Sequence, residues 1–189
     1  MTPFEYVIVL ISIILGLGIT QIVSGVADLI HHSKQVKLYW PHLLWLILVF
    51  FLHVQEWWQI YELKTYGAWH LPVFLFVILY PIVLFILARI LFPTFTGSFV
   101  NLKEFYFNNF RKFFSFIVIL ATLAILENVF IHNRQLQEQL IPFLLLVTSG
   151  FILVKDVRQE WIHQAFVIVL IVVMLISFAV TWNEWLLME

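Results

Sequence analysis

The chain has 189 residues, of which 63% are hydrophobic and only 11% are charged, and its formal net charge is −1. Soluble domains are about 45–50% apolar and about 25% charged, so this composition excludes an ordinary water-soluble protein and indicates one solvated mainly by lipid. The net charge also argues against nucleic acid as a partner, because neutralising phosphates requires a clustered excess of Lys and Arg.

Apolar windows long enough to cross a bilayer follow one another along the chain. A bilayer core about 30 Å thick needs roughly 20 apolar residues at about 1.5 Å each. The windows cover residues of about 4–30, 39–61, 71–92, 113–131, 136–154 and 161–187. The sequence therefore predicts an all-α integral membrane protein, a bundle of about six transmembrane helices that forms a single domain over residues 1–189.

Two local features modify this succession of helices. Pro81 lies inside the third window, where its missing N–H and its ring predict a kink. Between the third and fourth windows, aromatic and apolar residues recur at helical spacing among Lys103, Arg111 and Lys112. Such a pattern predicts a short interfacial helix that lies in the headgroup plane on the cytoplasmic side.

Lys and Arg are distributed unevenly over the loops between the windows. If the spans alternate in direction, Lys64 and Arg134 fall on one side of the membrane and the other basic residues on the opposite side. That larger group consists of Lys34, Lys37, Arg89, Lys103, Arg111, Lys112, Lys155 and Arg158. Because short cytoplasmic loops are enriched in Lys and Arg, the sequence predicts a multi-pass protein of the plasma (inner) membrane with both termini on the non-cytoplasmic side.

The first window presents small and weakly polar residues at every fourth position. They are Ser12, Gly16, Thr20, Ser24 and Asp28. Such a face allows another helix to approach closely, so we interpret it as a structural packing surface and expect the protein to self-associate. Asp28 and Arg89 both lie near the predicted cytoplasmic boundary, and we expect them to form an ion pair between the first and third spans.

Three glutamates, Glu56, Glu127 and Glu184, are predicted to lie at one depth near the outer ends of the second, fourth and sixth spans. A charged side chain at the centre of a bilayer costs about 2.5–3.5 kcal/mol, so such residues usually face the bundle interior or a wet cavity. We interpret the three carboxylates as a shared acidic site that binds ions or cationic solutes. The alternative for each is a structural role, either snorkelling to water or pairing with a polar neighbour.

Polar neighbours extend this predicted site. His53 lies three residues before Glu56, which places the two side chains close together on a helix. Asn128 and Asn183 directly adjoin Glu127 and Glu184 in the sequence. We therefore expect His53, Asn128 and Asn183 to contribute to the binding of the ion or solute.

The favoured function is a small transporter or channel for protons, cations or small cationic solutes. One alternative is a membrane-embedded, metal-dependent lipid hydrolase, in which His53, Glu56, Glu127 and His132 hold a zinc ion and Glu184 activates water. No HExxH motif supports this alternative. A further alternative is an accessory or sensing subunit of a membrane complex.

The sequence predicts no cofactor. It contains no cysteine to supply a thiolate ligand, no glycine-rich phosphate-binding loop, and no lysine within a predicted span that could form a Schiff base. The expected partners are the lipid bilayer, a second copy of the chain and, for an accessory subunit, another membrane protein.

Overall fold

The computed structural model describes residues 2–67, 69–95, 99–135 and 139–180. In this part of the chain the α-helices are α1 (Pro3–His31), α2 (Trp40–Gln59), α3 (Leu71–Val77), α4 (Leu79–Ile90), α5 (Leu102–Phe130), α6 (Leu140–Val154) and α7 (Glu160–Val180). Two short 3-10 helices cover Ser33–Gln35 and Ile60–Thr65, and the strands β1 (Val36–Lys37) and β2 (Val100–Asn101) form a two-stranded sheet.

Five of the described helical stretches are long and apolar enough to cross a membrane. They are Pro3–His31, Trp40–Thr65, Leu71–Ile90, Leu102–Phe130 and Glu160–Val180. Helix α6 is equally apolar but has only 15 residues, which span roughly 22 Å at about 1.5 Å per residue, less than a bilayer core. The protein is thus an all-α bundle whose helices suit a multi-pass membrane protein.

The third predicted span is interrupted at Ile78, three residues before Pro81. Helix α3 ends at Val77 and α4 begins at Leu79. Because Pro81 has no backbone N–H, the carbonyl of Val77 lacks the donor that a regular helix would supply four residues later. The distortion predicted from Pro81 is therefore found in the turn that precedes it.

The prediction of a separate interfacial helix before the fourth span is wrong. Residues 102–113 are the first turns of α5, which continues unbroken into the apolar segment. Asn101 caps this helix with its side chain, and no Gly or Pro interrupts it. The aromatic side chains of Tyr106, Phe110 and Phe113 are buried. They belong to the core of the bundle rather than to a membrane-surface face.

One end of the bundle, which we name the basic end, joins the loops that follow α1, α4 and α6. Strand β1 pairs in parallel with β2, with Val36 opposite Val100. Nζ of Lys103 in α5 lies 2.5 Å from a carboxylate oxygen of Glu160 at the start of α7. The segments that meet here also contain the larger group of basic residues named above.

Two buried histidines form hydrogen bonds that connect elements at the basic end. Nε2–H of His42 in α2 donates to the carbonyl of Leu91 after α4, at 2.8 Å. Nε2–H of His163 in α7 donates to the carbonyl of Val157 at 2.8 Å, and its Nδ1 accepts from the hydroxyl of Tyr106 at 2.9 Å. Each imidazole therefore connects two elements that are distant in the sequence.

Helix α1 packs against α2 and α4 through a face that alternates steps of three and four residues. Its buried residues are Val7, Ile11, Leu15, Gly18, Ile22, Gly25 and Leu29. The average step keeps these side chains on one face of a helix with about 3.6 residues per turn. The α1 contacts are therefore made by a different set of positions from the predicted small-residue stripe.

The predicted stripe does not pack within the chain, so that prediction is wrong for the intrachain contacts. Gly16, Thr20 and Ser24 are exposed, and Ser12 is half-buried. A Cβ added at Gly16 would meet no other atom within 4 Å, and the hydroxyl of Thr20 donates to the carbonyl of Gly16 in the same helix. Constant steps of four rotate about 40° per step around a helix and leave the buried face. A role of this stripe in self-association stays a prediction.

The predicted ion pair between Asp28 and Arg89 is also wrong. Both residues are exposed, and the ion pairs among the described residues involve other partners. Helix α1 contacts α4 through the face that contains Leu29. Because successive residues point about 100° apart on a helix, Asp28 points away from that contact.

Two glycines allow α1 to approach its neighbours closely. A Cβ on Gly18 would overlap the ring of His53 from α2, and one on Gly25 would overlap the ring of Phe92. His53 is fully buried, and its Nδ1–H donates to the carbonyl of Val49 at 2.7 Å, which fixes the ring against Gly18. Glycine is required here because the space of a side chain is already filled.

We expect Gly18→Ala to destabilise the protein by about 1–3 kcal/mol, the usual cost of overpacking a core. Gly16→Ala, in the same helix, should be neutral or stabilising by up to about 1 kcal/mol, because Ala favours helix and the site is open. Thermal melts of the two purified variants test this difference.

A second substitution checks the cause of the effect. In a His53→Ala background, Gly18→Ala should cost much less, since the overlapping ring is gone. Equal melting temperatures of the Gly16→Ala and Gly18→Ala variants would contradict the close contact.

Candidate functional site

A cavity of about 570 Å³ lies between α2, α4, α5, α6 and α7. Polar side chains line it towards the loops that follow α2 and α5, and apolar side chains line the remainder. The polar residues are Gln55, Glu56, Gln59, Tyr80, Glu127, Asn128, His132, Arg134, Gln139 and Ser177. The cavity therefore has a polar end and an apolar end, and the polar end is opposite the basic end of the bundle.

Two of the three predicted glutamates meet in this cavity. Glu56 of α2 and Glu127 of α5 both line it and are close enough to repel each other electrostatically. We name these two residues the acidic pair. Tyr80 of α4 also lines the cavity and is close enough to both carboxylates to interact with them electrostatically. The predicted residues Glu184 and Asn183 lie outside the described part of the chain.

Neither carboxylate of the acidic pair has an ion-pair partner among the described residues, whose ion pairs use Glu62, Asp156 and Glu160 instead. Both side chains are half-buried, and their accessible surface lines the cavity. Two like charges about 4 Å apart repel by about 4 kcal/mol at an effective dielectric constant of about 20. A proton or a cation between the carboxylates removes this repulsion, so the acidic pair favours positive charge.

Helical spacing explains how α5 forms its part of the wall. Its lining residues Ile117, Leu120, Ala124 and Glu127 recur every three or four positions, with Ala121 beside Leu120, and so lie on one side of the helix. The two alanines are small and leave room that a larger side chain would occupy. The cavity exists partly because α5 places small residues one to two turns before the carboxylate.

His53 is not part of the cavity wall, contrary to the predicted arrangement. Its ring lies against Gly18 of α1, whereas Glu56 faces the cavity. Residues three positions apart diverge by about 60° around a helix, which is enough to direct the two side chains into different interfaces. His53 therefore connects α2 to α1, and Asn128 is the predicted neighbour that does line the cavity.

The four suggested zinc ligands do not form a metal centre. Within the described residues, no group of three or more His, Asp or Glu side chains is arranged to hold a metal ion. His53 faces α1, and His132 contacts Glu62 rather than the acidic pair. These four residues therefore do not form the zinc site that the hydrolase alternative requires.

Three ionisable side chains border the polar end of the cavity, and we name them the mouth cluster. The carboxylate of Glu62 lies 3.1 Å from Nη2 of Arg134 and 3.4 Å from Nδ1 of His132. His132 and Arg134 also line the cavity. The mouth cluster joins the 3-10 helix after α2 to the segment after α5, at the polar end of the cavity.

Sequence reasoning missed several polar lining residues. Gln59 follows Glu56 at helical spacing of three residues, Gln55 directly precedes it, and this signal was available in the sequence. Tyr80 and Gln139 come from other elements, so no local spacing connects them to the glutamates. Gln139 is only 2% exposed, and neither its amide nitrogen nor its amide oxygen has a hydrogen-bond partner among the described residues.

Comparison with protein-family models, with curated proteins and with solved structures gave no match to this chain. The chemistry of the cavity follows from its own side chains. They are carboxylates with no ion-pair partner among the described residues, which favour positive charge, amides that donate and accept hydrogen bonds, and an apolar wall. This arrangement can bind a positively charged group.

The pKa of His132 in the mouth cluster can be measured by titration. Burial lowers the pKa of His132 below its ordinary value of 6.5, the carboxylate of Glu62 acts to raise it, and Arg134 acts to lower it. Because the folded-state pKa is lowered, protonation favours the unfolded chain, and the stability that His132 contributes falls as the pH drops through about 6.5. An NMR titration of labelled histidine measures this pKa.

Substitutions in the cluster should move the pKa of His132 in opposite directions. Glu62→Gln should lower it further, because a negative neighbour is lost, and Arg134→Gln should raise it, because a positive neighbour is lost. If both variants leave the titration unchanged, the three side chains do not form the cluster described.

Proposed function

We propose that the protein is a multi-pass helical transporter or channel of the plasma (inner) membrane that binds and moves positive charge through the cavity. The cargo class is protons, inorganic cations or small cationic solutes. The observation that carries this proposal is the acidic pair, which has no ionic partner among the described residues and lines the cavity. Carboxylates inside a membrane domain are typical of ion and proton pathways.

Binding at the acidic pair would couple cations to protons. Two neighbouring carboxylates are most stable when a proton or a cation lies between them, because either one cancels their repulsion. A cation that enters the site therefore displaces a proton, and a proton displaces the cation. Exchange of a cation for a proton is the simplest transport cycle that such a site supports.

In this proposal the chain crosses the membrane six times, with α3 and α4 together forming one span. The short helix α6 is the span whose length matches the bilayer thickness least well. Lys155 follows directly after it, and a long basic side chain can snorkel from a short span to the headgroups. Local thinning of the bilayer accommodates the remaining mismatch at a cost of fractions of a kcal/mol per Å.

We orient the basic end towards the cytoplasm, and both termini and the polar end of the cavity towards the opposite side. The unequal distribution of Lys and Arg supports this orientation. The loops that contain the basic residues also contact one another at a single end of the bundle, through β1, β2 and the pair of Lys103 with Glu160.

The alternatives have less support. A metal-dependent hydrolase would need a ligand set that the described residues do not supply. An accessory or sensing subunit would not require two unpaired carboxylates to share a cavity, since such a pair costs free energy without serving attachment to a partner.

The orientation predicts the behaviour of fusion reporters. A reporter that is active only in the cytoplasm should work when fused after Lys37, Lys103 or Arg158, and should fail at either terminus, because basic loops are retained in the cytoplasm. Activity of the reporter at the C-terminus would mean that one helix, α6 in particular, does not cross.

Transport by the acidic pair predicts a loss of flux. In liposomes with a pH gradient, wild-type protein should release the gradient when an external cation is added, and Glu56→Gln or Glu127→Gln should slow this release at least about tenfold. Glu104→Gln is the matched control, because Glu104 is an exposed carboxylate at the basic end of the same helix as Glu127. Flux equal to that of empty liposomes would contradict the proposal.

Replacement by leucine separates function from folding. Glu56→Leu should also abolish flux, but the melting temperature should stay equal or rise, because an unpaired carboxylate is replaced by an apolar group in a largely apolar cavity. If Glu56→Leu has a lower melting temperature and Glu56→Gln has normal flux, Glu56 is a structural residue instead.

A further inference from the structure

We infer that the cavity takes an amphipathic organic amine, with its protonated nitrogen at the acidic pair and an apolar body extending towards the basic end. This inference rests on the proposed function, because it uses the same two carboxylates, and it narrows the substrate from any cation to one chemical class.

The size of the cavity favours an organic molecule. Binding sites for small organic ligands usually measure about 300–1,000 Å³, and this cavity measures about 570 Å³. A single inorganic ion fills only a small part of that volume. The remainder would have to be filled with water, and an apolar wall gives water few hydrogen-bond partners.

The wall is long and apolar on the side away from the carboxylates. Along α2 the lining extends from Glu56 back to Trp45, and along α5 it extends from Glu127 back to Ile117. These distances correspond to about 15 Å of helix at about 1.5 Å per residue. Helix α7 completes this part of the wall with Leu170, Val173 and Met174. A charged head and an apolar body of comparable length match this division of the cavity.

The polar end is suited to a nitrogen that carries hydrogens. A protonated amine offers several N–H donors, and hydrogen bonds between two charged groups are roughly twice as strong as neutral ones. Two carboxylates on different helices accept such bonds from two directions. A metal ion would instead need a set of ligands around it, and the described His, Asp and Glu residues supply no group of three.

Gln139 provides an independent sign of a polar ligand. Its side chain lines the polar end, is almost completely buried, and has no partner for either polar atom among the described residues. A buried amide without partners costs about 1–3 kcal/mol. A ligand with a polar head at this end would supply a partner that the described residues do not.

Matched probes test the inference in nanodiscs that contain the full chain. 4-Phenylbutylamine has both the charge and the apolar body, methylamine has the charge alone, and 4-phenylbutanol has the body alone. We expect saturable binding of 4-phenylbutylamine at least about tenfold tighter than that of either partial probe, because each part contributes at least about a factor of ten. Glu56→Gln and Glu127→Gln should each weaken it at least about tenfold.

A change in the apolar wall tests the position of the body. Ala124→Leu fills the wall one turn before Glu127 and should weaken binding of 4-phenylbutylamine at least about tenfold, while leaving binding of methylamine unchanged because methylamine has no apolar body. Ala27→Leu on the exposed side of α1 adds the same atoms away from the cavity and should have no effect. Melting temperatures of both variants report whether they fold.

The outcomes separate this inference from the proposed function. If proton or sodium flux depends on the acidic pair but 4-phenylbutylamine binds no tighter than methylamine, the amine inference is overturned and the transport function stands. If 4-phenylbutylamine binds through the acidic pair but no flux of any cation occurs, the amine site stands and transport is overturned. Binding that is equal in the wild type and in both glutamine variants overturns the amine inference.

Discussion

Polar groups inside an apolar bundle must find partners within the protein, because lipid supplies none. At the basic end several of these groups are paired with groups of distant elements. His42 reaches a carbonyl after α4, His163 links α7 to α5, and Lys103 neutralises Glu160. These contacts, together with the β1 and β2 pairing, hold the helices in fixed register at that end, and the opposite end is where the helices leave a cavity.

The acidic pair departs from this rule, and the departure gives the site its chemistry. Glu56 and Glu127 come from helices that are held apart by large side chains at the basic end, including Trp45, whose ring centroid lies 4.6 Å from that of Phe113. Small residues on α5 then open the space between them. Carboxylates and a buried Gln139 amide without partners among the described residues raise the free energy of the folded protein. The binding of a positively charged ligand that forms hydrogen bonds would lower it.

The sequence predicted the helices, and it also predicted that Glu56 and Glu127 lie near the same end of the bundle, because span length and charged breaks are strong signals in a membrane protein. It did not predict which face of each helix is buried. In a helix of a soluble protein the polar side chains mark the exposed side, but here the lipid-facing side is as apolar as the core. The small-residue stripe through Gly16 was therefore predicted to be the packing face, whereas the close contact is made at Gly18. The basic start of α5 likewise resembled an interfacial helix, because the partners Glu160 and Asp156 lie far away in the sequence.

The mouth cluster explains why the acidic pair has no counter-charge among the described residues although a basic residue lines the same cavity. Arg134 would be the natural partner for Glu127, and a pairing between them would neutralise the site. Instead, Glu62 holds Arg134 at 3.1 Å and also contacts His132. Because Glu62 belongs to the 3-10 helix after α2, the loop that closes the bundle also keeps the fixed positive charge at the rim. The interior carboxylates therefore remain available to a mobile cation that comes from outside the chain.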